Sequence, residues 1–249
     1  MNRVKYILKI SRGLLVSYNW KHINISEVIE QVKIIGIDSL MIIFVTAFFI
    51  GLIFSLQIVK EFLFLNAIEL VGAVLTMTFL RELSPVLTAV VLIGRIGSYF
   101  TAELATMQIT EQIDALYIFN IDPLYYLIIP RVFAFMIMLP LLNIFAFLTS
   151  ICSSLFICFT LYAIAPNIFL ISSFSKIYVL DIIKSCFKAF VFGLFAALIS
   201  CSWGMTTRGG ARNVGIATTS SVVSSLLAIF ILDFILSYYL FDNLSTTLI

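Results

Sequence analysis

Several apolar runs in this chain are long enough to cross a bilayer, and nothing else limits its fold so much. The runs at 40–59, 86–105, 132–162, 182–203 and 222–240 each approach or exceed the length a spanning helix needs. That length is about 20 residues for roughly 30 Å of hydrocarbon. A bilayer core offers the backbone no water, so a span must satisfy its own amides and carbonyls, as a helix does. The fold class expected is therefore an all-α polytopic membrane protein with about five transmembrane helices. Composition agrees: 62% of the 249 residues are hydrophobic and 11% charged, where a soluble domain carries about a quarter charged residues. A net charge of +2, with no basic patch, argues against nucleic acid as a partner.

Residues 1–38 are too polar to span. Lys5, Lys9 and Arg12 recur at helical spacing opposite Ile7, Leu8, Leu14 and Leu15, the pattern of an N-terminal amphipathic helix lying in the interface. Residues 39–249 then form one domain, without a linker or an internal repeat. The segment from Phe62 to Ala105 is ambiguous, because Arg81-Glu82-Leu83-Ser84-Pro85 interrupts its apolar character. The stretch 67–83 reads either as a shallow, re-entrant lead-in or as part of one long helix kinked near Pro85. Basic residues from Arg3 to Lys33 place the N-terminus inside. A single span here puts Arg131, Arg208 and Arg212 inside as well, so five spans are preferred to six. The run 132–162 measures roughly 46 Å as a helix, longer than the hydrocarbon core. It must tilt, project, or bend at Pro140.

Between the second and third spans lies the polar stretch 103–131, with Glu103, Gln108, Glu111, Gln112, Asp114, Asn120, Asp122 and Arg131. Ile109, Ile113, Leu116 and Tyr117 repeat at helical spacing, with carboxylates on the other side. A short amphipathic helix over about 108–121 is expected between the two spans, and its apolar side favours a docking surface for a soluble partner over an ordinary solvated loop. Asp122-Pro123 should close it and open the next helix, Asp as cap and Pro at the first helical position. Within the spans, Arg95 and Glu103 stand eight apart with Tyr99 between them, and Asp233 and Lys188 are candidates to face them from other helices. Such charges either neutralise one another in assembly or line a substrate path.

Motifs for chemistry are absent. The sequence has no GxxxxGK[ST] loop, nucleophile elbow or HExxH. Its single histidine, His22, removes most imidazole-based metal or acid–base schemes. The four cysteines lie in apolar runs without a CxxC pair and read as small hydrophobes. No catalytic and no metal residue is expected.

Several blocks occur in order and at family spacing. They are Arg81-Glu82-Leu83-Ser84-Pro85, Gly94-Arg95, Ala102-Glu103-Leu104-Ala105-Thr106-Met107, Thr110-Glu111-Gln112-Ile113-Asp114-Ala115-Leu116, Asp122-Pro123, Pro130-Arg131, and Thr207-Arg208-Gly209-Gly210-Ala211. Over residues 36–240 the chain resembles the MlaE/YrbE permease family. The resemblance implies the membrane subunit of an ABC transporter that moves phospholipids between membranes. It also implies that ATP is bound by a separate ATPase subunit rather than by any cofactor site here. Further implied partners are a second copy of the chain and an MCE-type lipid-binding protein on the far side. By the same resemblance the short helix is the cytoplasmic coupling helix, with Glu111, Gln112, Asp114 and Asp122 at the ATPase. Arg95, Glu103, Tyr99 and Asp233 then line the lipid path or form intramembrane charge. The compartment implied is the plastid inner envelope or a bacterial inner membrane, and heavy use of Ile, Phe and Asn fits a plastid-encoded copy or a reduced bacterium. The chain departs from the family at Ser84, at Phe119-Asn120 in place of Met with Gly or Ala, and at Arg212. The alternative to a permease is a stand-alone channel or ion-coupled carrier that uses Arg95, Glu103 and Asp233 as a charge relay.

Overall fold

A computed structural model describes residues 25–241, and among these every regular element is helical. Five helices are long and apolar enough to cross a membrane: α1 (Ser26–Phe64), α2 (Ile68–Ile109), α4 (Leu124–Tyr162), α6 (Val179–Met205) and α7 (Ala211–Phe241). Between them lie two short helices, α3 (Gln112–Ile118) and α5 (Pro166–Lys176). The chain is a multi-pass membrane protein.

Every span is longer than its apolar run. The first begins near residue 25 rather than 40, so residues 25–38 continue the span as helix, through Glu27, Glu30 and Lys33. The rest of the expected N-terminal amphipathic segment lies outside the described residues. The physical reason for the extension is that hydropathy marks where the hydrocarbon ends, while Glu, Lys and Gln remain good helix formers beyond it. The expected helix at 108–121 is shorter, at 112–118, because the end of α2 takes up residues to Ile109.

Of the ambiguous segment 62–105, residues 62–64 close α1 and 65–67 turn, and 68–105 form one continuous helical run with two wider, π-helical turns, at Phe79–Leu83 and Ile93–Gly97. The first turn stands immediately before Pro85. Proline has no N–H to give to the carbonyl four residues back, here Arg81. That carbonyl instead accepts from the Lys188 ammonium at 3.1 Å. A buried lysine thus satisfies a backbone group that Pro85 leaves free, as hydrocarbon demands.

By its internal packing the chain divides into two units, and each long helix contributes a stretch to both. The first unit comprises residues 25–39, Ala89–Leu139 and Phe190–Leu232; it holds α3 and the turn after Met205. Here Gly204 permits close approach: a Cβ on it would lie 2.6 Å from that of Leu104. Beside it the Thr101 hydroxyl lies 3.0 Å from the Ser200 carbonyl and 2.8 Å from the Ser221 Oγ. Small residues that admit neighbouring backbones are the usual means of helix association in lipid.

The second unit comprises residues Leu40–Thr88, Pro140–Ala189 and 233–241. Its apolar core gathers Val59, Leu75, Phe79, Phe147, Cys158 and Phe169. Helix α5 seats on α2 at Gly72, where a Cβ would meet the Phe169 carbonyl at 2.5 Å. Asn143 bridges two helices, accepting from Ser84 at 2.7 Å and donating to Ser185 at 3.0 Å. All four cysteines are free; Cys158 and Cys201 are buried, whereas Cys152 is exposed on α4.

Candidate functional site

Helix α3 is held as a short rigid body by what flanks it. Glu111 before it and Asn120 after it both adopt the left-handed backbone region, with φ of 58° and 57°. At its end the amide of Ile121 donates to the Leu116 carbonyl at 3.0 Å, and that of Asn120 to Tyr117 at 3.1 Å. This is a Schellman closure, which places a left-handed residue just past the helix. Glycine fits such a position without strain and asparagine is the side chain next best tolerated there, so Asn120 is a workable substitute. Asp122 then caps the following helix, its Oδ1 accepting from the Leu124 amide at 3.0 Å. Pro123 is the first helical residue, as expected.

The apolar side of α3 is anchored by Ile113, which is 1% exposed. Glu111, Gln112, Asp114 and Asp122 are all exposed. A second apolar surface was not legible in the periodicity: Ile118 is 81% and Phe119 73% exposed, with Tyr117 and Ile121 beside them. Their number on so short a stretch, at the point where the chain reverses, is the one signal that could have exposed them.

The charges inside the spans pair differently from what the spacing implies. In the first unit Glu103 meets Arg131, 2.9 Å away, rather than standing with Arg95. The Arg131 side chain is 4% exposed and its guanidinium lies over the Phe100 ring, 5.4 Å from the centroid. The geometry is that of an ion pair rather than an aligned hydrogen bond. Arg95, on the second π-helical turn, has a buried Nη1 with no hydrogen-bond partner among the described residues. Tyr99, one turn on, is exposed. The reason for the mispairing is that Arg131 enters from a different helix, 28 positions along the chain, which helical periodicity cannot register.

In the second unit Asp233 takes its place in a larger cluster. Lys188, with no exposed side-chain surface, lies 2.6 Å from Asp233 Oδ1 and 2.7 Å from Glu82 Oε2. It also donates to Ser237 Oγ at 2.7 Å and to the freed Arg81 carbonyl. Arg81 in turn pairs with Asp181 at 3.3 Å and stacks near the Phe241 ring. One lysine therefore ties three helices together through two carboxylates, the arrangement that makes a buried ammonium tolerable.

Rescue by charge exchange distinguishes these pairings. Exchanging Arg95 and Glu103 should rescue nothing, because the pair does not exist. Arg131→Gln alone leaves a carboxylate uncompensated, costing about 2–3 kcal/mol after allowance for the 28% exposure of Glu103. Exchanging that true pair, Glu103→Arg with Arg131→Glu, should recover most of the lost thermal stability in detergent. Recovery by the Arg95 exchange instead would refute the assignment.

The model of the family described as Permease MlaE matches residues 28–239. Over 248 residues the chain is 47% identical to a probable ABC transporter permease protein, ycf63, of Porphyra purpurea, covering 100% of this chain and 94% of the relative. A probable ABC transporter permease of Synechocystis sp. is 45% identical, over 90% of this chain and 86% of its own length. The Arabidopsis thaliana protein TRIGALACTOSYLDIACYLGLYCEROL 1, chloroplastic, is 41% identical over 97% of this chain and 67% of its own length. Matched by one family's model along nearly its whole described length, and this close to that family's relatives, the chain belongs to the MlaE permease family.

Proposed function

We propose that this chain is the membrane subunit of an ABC transporter that moves phospholipid or a related diacyl lipid between membranes, driven by an ATPase on a separate chain. The observation that carries the reading is α3: a short helix, closed at both ends by left-handed residues, anchored through Ile113 and presenting Ile118 and Phe119 outward. A helix so held transmits a push as a unit, which is what coupling to ATP hydrolysis requires. The lipid assignment draws on the Arabidopsis relative, which is named for a diacyl glycolipid. It also draws on the polar anchors that the spans place among apolar side chains. ATP binds on the partner chain, and this chain holds no cofactor. The transporter pairs two copies of this chain, with an MCE-type lipid-binding protein on the far side. The home membrane is the plastid inner envelope or a bacterial inner membrane.

The charge relay of an ion-coupled carrier gains no support, because Glu103 and Asp233 each close an ion pair with a residue outside the relay. Reconstitution decides between the two. The chain is purified with its ATPase, identified by the Walker A peptide, in vesicles carrying fluorescent phosphatidylglycerol. Lipid transfer should require ATP and vanish when the Walker A lysine of the ATPase is replaced. Transfer that persists without the ATPase and follows an ion gradient would overturn the proposal.

A further inference from the structure

Beside α3, within the first unit, lies a half-open cleft of about 510 Å³. One wall is formed by Gln108, Asp114 and Tyr117; the other by Trp203, Arg208 and Ile216. The second wall is preformed. Gly209 takes φ of 101°, a backbone that favours glycine. The Asn213 side-chain amide closes the turn on the Arg208 carbonyl at 2.7 Å, and its backbone amide donates to Gly210 at 2.9 Å. A Cβ on Gly209 would collide with that Asn213 amide. The Thr207 hydroxyl donates to the Trp203 carbonyl at 2.8 Å, fastening the start of the turn to α6.

We infer that this cleft is the second half of the ATPase docking surface: a polar segment of the ATPase enters it beside α3 and sets an acidic side chain against Arg208, on the wall opposite Asp114. The inference rests on the docking reading above and extends it to a region that reading does not need. Two observations select the occupant. First, α3 is itself one wall through Asp114 and the exposed Tyr117, so a protein seated on α3 adjoins the cleft. Second, the far wall carries the exposed Arg208, three residues ahead of the 31-residue helix α7. A helix N-terminus carries partial positive charge, so carboxylates are favoured next to it. The volume is that of a small ligand site, enough for two or three side chains. The consequence is mechanical: an ATPase that grips both walls moves α3 and the start of α7 together.

The test uses the full-length chain co-expressed with its ATPase, with a photo-crosslinking amino acid placed singly at Ile216, at Arg212, and at Ile118 as reference. Crosslinked partners are identified by mass spectrometry, the ATPase through its Walker A peptide. Crosslinks to the ATPase from all three positions are expected. Crosslinking from Ile118 alone would overturn the inference while leaving α3 docking intact. Failure at all three positions would remove both. Crosslinks from Ile216 to a second copy of this chain would likewise overturn it. Arg208→Glu should weaken the purified complex about tenfold at low salt, and the difference should shrink at high salt as charges are screened. An unchanged complex at low salt would refute the electrostatic match on which the choice of an acidic side chain rests.

Discussion

Lys188→Met should strip the second unit of its stability more than any other single substitution. Removing the ammonium leaves Glu82 and Asp233 facing each other without compensation, and the Arg81 carbonyl without its donor. Breaking a buried ion pair on one side costs about 3–5 kcal/mol. Glu82 is 41% exposed, which moves the expectation toward about 3. Losing the hydrogen bond to Ser237 adds little, since such bonds between membrane helices average about 0.6 kcal/mol. Lys184→Met is the control: among the described residues Lys184 donates to the Leu240 carbonyl at 2.7 Å and lies near the Phe241 ring, so about 1 kcal/mol is expected. Stability is read as the temperature at which half of the detergent-solubilised chain loses its monodisperse elution. Because Lys188→Met could fail to accumulate at all, a triple variant keeps the claim testable. Lys188→Met with Glu82→Gln and Asp233→Asn removes every charge of the cluster and should regain much of the loss. A single Lys188→Met variant as stable as the parent would refute the role assigned to the cluster.

That cluster also marks where reading from residues alone stops. The spans were legible because burial in lipid is a matter of composition: twenty apolar residues suffice, whatever they touch. The one long helix through Pro85 was legible as an alternative, since proline's missing N–H is local chemistry. Which donor replaces it was not, because Lys188 arrives from 107 positions away. The same holds for Glu103 and Arg131, whose meeting depends on how two helices rotate against each other. The end of α3 falls between these cases. Asn120 looked like a departure from a small residue, and its left-handed backbone shows why asparagine can stand there. The apolar anchor Ile113 followed from periodicity, yet Ile118 and Phe119 escaped it, because an outward-facing apolar pair has no periodic partner. The cleft escaped entirely: its walls come from segments about 90 residues apart, joined only by folding.

Those exposed residues govern the other large effect. If the ATPase binds α3, the energy of docking depends on what it removes from water. Exposed carboxylates such as Glu111 contribute at most about 1 kcal/mol each, screened by salt. Burying an isoleucine or a phenylalanine contributes about 1.5–3 kcal/mol. Ile118 and Phe119 together therefore outweigh Glu111 and Asp114, although the carboxylates are the more conspicuous in the sequence. Ile118→Ala with Phe119→Ala should cost about 3–6 kcal/mol of binding, a loss of roughly a hundred- to ten-thousand-fold in affinity. Glu111→Lys with Asp114→Lys should cost less and mainly at low salt, because both carboxylates are exposed. Both double variants leave Ile113 buried and the spans untouched, so insertion and elution should match the parent. Binding is measured by titrating the purified ATPase against the chain in nanodiscs at two salt concentrations. If the alanine pair binds within about threefold of the parent while the lysine pair does not, charge rather than apolar burial holds the ATPase, and the assignment of Ile118 and Phe119 falls.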